Sequence, residues 1–154
     1  MNALRPSLRR LLFALLLPIL PLPAQSATPT AAAGDIAVAV STVRNHDGEI
    51  ICALFETADG FEKRIPLVKV LAHPQSPATT CVFRNVKAGI YAVIAFHDEN
   101  GNGRLDKTFY GKPTEGYGVS NNHTYAMHGP RFGESTFTFS GRGHLAITIQ
   151  LRYP

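Results

Sequence analysis

The chain has 154 residues, enough for one domain of ordinary size and too few for two independent cores. Its formal net charge of +4 overstates its basic character, because three of its fifteen Lys/Arg residues sit in an N-terminal segment expected to be removed, leaving twelve against eleven Asp/Glu. A nearly neutral chain with no basic stripe falls outside the nucleic-acid-binding class.

Arg5, Arg9 and Arg10 precede an apolar run from Leu11 to Leu22 that is broken by Pro18 and Pro21. The run is too short to cross a bilayer, which takes about 20 apolar residues. Small residues at Ala24 and Ser26 then fit a signal-peptidase site after Ser26. The expectation is a signal peptide over 1–26, a disordered Ala/Thr/Pro linker over 27–33, and a single domain over 34–154. The mature chain would have no transmembrane segment and would reside in the periplasm or outside the cell. No cysteine stands at the cleavage point, which argues against lipid attachment.

From Ile36 onward the apolar residues recur at period two, the mark of half-buried strands. Ile36 to Val40 forms the first predicted strand. Asn45-His46-Asp47-Gly48 supplies turn chemistry, so Glu49 to Glu56 reads as its hairpin partner. Further strands are predicted over Leu67 to Leu71, Thr79 to Val86, Ile90 to Phe96, Ser135 to Phe139 and His144 to Leu151. The last places Leu145, Ile147, Ile149 and Leu151 on one face. About seven short strands with no sustained helical period predict an all-β fold, an antiparallel β-sandwich. Cys52 and Cys81 both fall in predicted strands. An oxidising compartment would allow them to pair, but spacing alone leaves a disulfide and two buried thiols equally open.

Between the fifth strand and Ser135 lies one long loop, about residues 98–133, whereas loops beyond about 12–15 residues are uncommon in compact domains and are often functional. Its aromatic residues, Phe109, Tyr110, Tyr117, Tyr125 and Phe132, suggest that it packs down in an ordered form. Asp98, Asn100, Asn102, Gly103, the carbonyl of Arg104, and Asp106 fall at positions one, three, five, six, seven and nine of a calcium loop. Oxygen donors at alternate positions around a glycine can converge on one hard cation. Phe109 stands where the bidentate Glu would be, so another acid must complete the set. Glu115 is the first choice and Glu99 the second, with an affinity around the 10⁻⁴–10⁻³ M of extracellular calcium modules. The competing account is an Asn/Gly-rich turn whose side chains cap its own backbone. His97, His123 and His128 offer a second, less favoured ion site, for zinc or copper, although their spacing matches no metal motif.

The segment from Phe83 to Val93, with Val86, Gly89 and Tyr91 between, resembles the strand-turn-strand of transthyretin-like and carboxypeptidase-regulatory sandwiches. The block His97-Asp98, Asn100, Asn102-Gly103, Asp106, then Gly111, Pro113, Glu115-Gly116, Gly118 and Ser120-Asn121-Asn122, is similar to that of a bacterial family of exported proteins known only as a domain of unknown function. The likeness runs from about Gly34 to Tyr153. It implies an exported sandwich and no particular reaction.

The favoured expectation is therefore a non-catalytic binding or accessory module whose calcium-held loop presents a recognition surface to an unknown protein or glycan. Tyr110, Tyr117 and Tyr125 are its candidate contacts, with His97, Ser120, Asn121 and Asn122 as further site residues. The alternative is a metal-assisted or acid/base hydrolase built on His97, Asp98, Glu115 and His123. It lacks G-x-S-x-G, H-E-x-x-H and any activating setting for a cysteine, and it would need His97 and Glu115 to meet in a concavity. A third expectation is a purely structural envelope protein whose loop covers a sheet edge.

Overall fold

A computed structural model describes residues 32–123 and 128–154. The expected signal peptide, most of the linker and Tyr125 lie outside the described residues. Among those described, eight strands form two facing sheets. β1 (Ala33–Ser41), β4 (Ala78–Lys87) and β8 (His144–Gln150) make the smaller sheet, in the order β4-β1-β8. β2 (Glu49–Phe55), β3 (Val68–Ala72), β5 (Gly89–Asp98) and β6 (Tyr117–Val119) run in the order β3-β2-β5-β6, with β7 (Thr136–Phe139) also pairing with β5. The all-β sandwich expectation is borne out.

Three details of that expectation are corrected. β1 and β2 do not form a hairpin: β1 pairs with β4 and β8, whereas β2 pairs with β3 and β5. The chain leaves the first sheet through Thr42, at a φ of 64°, and crosses to the second, so the turn chemistry at 45–48 serves a crossover. The sandwich is not wholly antiparallel, because β8 runs parallel to β1, with Val38 opposite Ile147. Short helices are present too: α1 (Ala58–Lys63) and α2 (Phe132–Ser135), with a 3₁₀ turn at Ser120–Asn122. At one to two turns each, they are too short to leave a period in the sequence.

Alternation explains β1, whose even-numbered residues Ile36, Val38 and Val40 are buried between the sheets. β2 and β5 carry near-continuous apolar runs, Ile50 to Phe55 and Tyr91 to Phe96, because both their faces are covered. Their inner faces join Phe83, Ile149 and Leu151 in the main core. Ala53, Phe55, Ala92 and Ile94 face the other way, into a second small core closed by Phe61 of α1, Val119 and Phe132. Phe61 packs edge-on against Phe55 at 5.2 Å and Phe132 at 5.9 Å. Thr57 caps α1 by accepting the Gly60 N–H at 3.1 Å, which holds Phe61 over the sheet.

Tyr91 buries its ring and its hydroxyl reaches backbone, donating to the Lys87 carbonyl at 3.1 Å. Gly89 lies beneath that ring: a Cβ there would stand 3.0 Å from Cε2 and from the hydroxyl oxygen. Cys52 and Cys81 are free thiols, not at disulfide distance. They sit on strands of opposite sheets, buried across the main core, and interact thiol to thiol. That contact, reinforced by burial, pushes the Cys52 thiol well up from its ordinary pKa.

Candidate functional site

The loop begins where β5 ends. Asp98, opposite Glu49 in the β2–β5 ladder, is buried, and both its carboxylate oxygens accept backbone N–H groups of the loop. Oδ1 takes the Asn102 N–H at 3.0 Å and Oδ2 that of Gly103 at 2.6 Å. Asn100 and Asn102 each accept the N–H two residues on, at 3.1 Å from Asn102 and 3.0 Å from Arg104, the Asx geometry that favours these residues in turns. Their amide nitrogens both donate to Oδ2 of Asp106, at 2.7 and 2.9 Å. These two bonds hold the Asp106 carboxyl below the usual carboxylate range. Gly101 and Gly103, at φ of 71° and 78°, supply the left-handed steps that turn the chain back. Asp98, Asn100, Asn102 and Asp106 are thus brought onto one tight coil.

Glu115 reaches the coil from downstream. It is buried, with Oε1 accepting the Glu99 N–H at 3.1 Å and Oε2 the Asp106 N–H at 3.0 Å. It ties the two ends of the coil together through backbone. Glu99, the second choice as a ligand, turns the other way. It forms a two-pronged ion pair with Arg44, through Nε at 2.7 Å and through Nη2, and accepts from Asn45 at 2.8 Å. The Arg44 guanidinium holds the Glu99 carboxyl below its ordinary pKa, and Glu99 raises that of Arg44 in return.

His97 is fully buried and both ring nitrogens are engaged. Nε2 lies 2.7 Å from the Asp47 carbonyl, which can only accept, so Nε2 carries the proton and Nδ1 accepts from the Tyr153 hydroxyl at 2.8 Å. Tyr153 also accepts the Arg44 backbone N–H at 3.2 Å and lies under the Arg44 guanidinium, 4.5 Å from the ring centroid. Sequence reading missed Arg44, Asn45 and Tyr153. They stand 54 to 109 residues from their partners, and no local spacing announces them.

Ser120, Asn121 and Asn122 splice strands together. The free edge of β5 is paired by β7 over 89–92 and by β6 over 94–96, which leaves the Val93 N–H without a ladder partner. Ser120 Oγ accepts it at 2.9 Å and donates in turn to the Ser135 carbonyl. Asn121 donates to the Thr136 carbonyl at 2.9 Å. Asn122 donates to the Thr148 carbonyl at 2.9 Å and accepts the Gln150 N–H at 2.8 Å, linking to the edge of β8. Both asparagines hold positive φ, 70° and 53°, which Asn tolerates better than most residues.

A model of a family described as uncharacterized protein conserved in bacteria, DUF2141, matches residues 38–147. The chain belongs to that family. No curated protein and no solved structure matches it. The DUF2141 match takes in both halves of the site, from the crossover at Arg44 through the coil to the splice at Ser120.

Other expected site residues are dispersed. Tyr117 lies half-buried on β6, opposite Phe96. His123 and His128 are exposed, on either side of 124–127. Among the described residues no group of three or more His, Cys, Asp and Glu side chains is placed to share an ion. Two clefts of about 400 and 430 Å³ open beside the loop, and His97, Asp98 and Glu115 line neither.

Beyond Asp106 the loop forms a small hairpin. Lys107 pairs with Pro113, Thr108 donates its N–H to the Lys112 carbonyl at 2.7 Å, and Gly111, at φ 78°, returns its N–H to the Thr108 carbonyl at 2.9 Å. Phe109 and Tyr110 occupy the two central turn positions. Contrary to the expectation that the loop's aromatic residues pack down, these two are 98 % and 90 % exposed.

Proposed function

We propose that this protein is a non-catalytic, exported binding or accessory module in which residues 98–122 of the loop are a rigid mount for a recognition surface. One observation carries the reading: the loop's polar side chains turn inward onto its own backbone, while Phe109 and Tyr110 turn out. A loop that needed its aromatic residues for folding would bury them, since each can bury about 150–250 Å². The buried state of His97, with both ring nitrogens bonded, supports a binding role over hydrolysis, because a general base needs a free lone pair facing a substrate.

Calcium completes the proposal. The donors would be the carboxylates of Asp98 and Asp106, the amide oxygens of Asn100 and Asn102, and the carbonyl of Arg104. Accepting one N–H leaves an amide oxygen a second lone pair for a cation, and two carboxylates balance a divalent charge. Glu99 is paired with Arg44, so the set has few ionised ligands and a weak affinity, around 10⁻⁴–10⁻³ M.

Calorimetric titration of the protein with calcium, zinc and copper tests this. Saturable heat with calcium, abolished by Asp106→Ala, is the expected result. Silence with calcium, or a preference for zinc or copper, removes the ion from the proposal. Limited proteolysis tests the mount itself: cleavage of native protein between Arg104 and Lys112 would show a loop too mobile to present anything.

A further inference from the structure

The hairpin apex is built unlike the rest of the surface. Its base is fixed: the Asp106 N–H is held by buried Glu115 at 3.0 Å, and the Thr114 N–H bonds the Asp106 carbonyl at 2.9 Å. Its turn is fixed as well, since Thr108 Oγ1 accepts the Lys112 N–H at 3.2 Å beside the left-handed Gly111. On this frame the Phe109 and Tyr110 rings meet each other edge to face, at 5.5 Å between centroids. Lys107 and Lys112 flank them, both exposed, and residues 107–113 contain no acid. No salt bridge joins either lysine to a carboxylate among the described residues. Arg104, nearby in the chain, is exposed too, although it pairs with Asp106 at 3.5 Å.

We infer that the 107–113 hairpin docks on an anionic lipid surface, with Phe109 and Tyr110 entering the headgroup region and Lys107 and Lys112 facing lipid phosphates. This rests on the reading of the loop as a mount and names what it meets. Two rings at a narrow apex cannot supply the roughly 800 Å² per partner of an ordinary protein interface. They suit a deformable medium that closes around them, and amphipathic aromatic side chains favour the bilayer interface. Unpaired lysines around such an apex complement the negative potential of a leaflet rich in anionic lipid.

The test uses the chain from Ala27, the processed form an export signal implies, so that every variant shares one N-terminus. The protein has no tryptophan, and Tyr110→Trp therefore installs a single reporter at the apex. With vesicles of phosphatidylcholine containing about one third phosphatidylglycerol, its emission should shift to the blue and the protein should co-sediment. Phe109→Ser with Tyr110→Ser should weaken sedimentation by at least about tenfold. Lys107→Glu with Lys112→Glu should do the same on anionic vesicles, and high salt should mimic it. All these side chains are exposed, so unchanged circular dichroism will show that the variants fold. No blue shift and no sedimentation would overturn the inference. So would equal binding to pure phosphatidylcholine, or variants that bind like the parent; a protein or glycan receptor would leave the vesicles untouched. Running each arm with millimolar calcium and with chelator keeps the outcomes apart, since calcium heat without vesicle binding overturns the docking and leaves the ion site standing.

Discussion

Ser120→Ala separates a splice from a recognition residue. Ser120, Val93 and Ser135 are all buried, and one hydroxyl satisfies the Val93 N–H and the Ser135 carbonyl together. Alanine removes one atom, so the void is small, but it strands the Val93 N–H, a buried backbone donor, away from water. A stranded buried donor costs about 1–3 kcal/mol, and that is the expected loss. Urea denaturation followed by circular dichroism measures it as a lower midpoint at unchanged slope. Binding measured well below the new midpoint should be unaffected. A loss under about 1 kcal/mol would refute the splice, because the Val93 N–H must then have found water or another partner.

Gly116→Ala places a Cβ in overlap with Cε1 and Cζ of Tyr153, and pushing that ring away breaks its bonds to His97 and Arg44. The expected cost is about 2–4 kcal/mol in urea, with a smaller effect in a Tyr153→Phe background, where the hydroxyl bonds are already gone. The Arg44–Glu99 pair makes stability depend on acid. A carboxyl depressed in the folded state stabilises fully above its unfolded pKa, near 4.3, and that contribution disappears as pH falls through the lower folded value. Unfolding free energy should therefore decline below about pH 4, less steeply in Arg44→Gln, as denaturation across pH 2.5–6 would record. Chelation should not unfold the protein: at millimolar calcium a site of 10⁻⁴–10⁻³ M adds only about 0.4–1.4 kcal/mol, seen as a shift of a few degrees in thermal midpoint.

Much of the sandwich was legible because alternation is a local signal. Ile36, Val38 and Val40 announce their face by spacing alone, and the strands from Glu49 to Phe55 and from Gly89 to Asp98 lie where period and turns put them. Pairing is not local. Asn45-His46-Asp47-Gly48 suits a hairpin, and nothing nearby reveals that the Tyr153 hydroxyl draws the Asp47 carbonyl and Arg44 toward β5 through His97. The site divides in the same way. The Asx pattern from Asp98 to Asp106 was readable, because each side chain bonds a backbone group within a few residues. The role of Glu115 was not, since its partners lie 16 and 9 residues away. Nor did Ser120-Asn121-Asn122 reveal its splice, which only the gap between β6 and β7 creates.

The inward hydrogen bonds and the outward aromatic residues belong to one construction. A coil of this length must satisfy its backbone somewhere, and Asp98, Asn100, Asn102, Asp106 and Glu115 do so with side chains, so it needs neither a packed face nor an ion to hold its shape. Its apolar residues are then released from folding duty: Tyr117 stays half-buried on β6, whereas Phe109 and Tyr110 are almost wholly exposed and meet edge to face. Leaving two aromatic rings in water forgoes about 1.5–3 kcal/mol of burial for a ring such as Phe109, and nothing inside the fold returns it. That free energy stays available to any surface that covers the hairpin from Lys107 to Pro113.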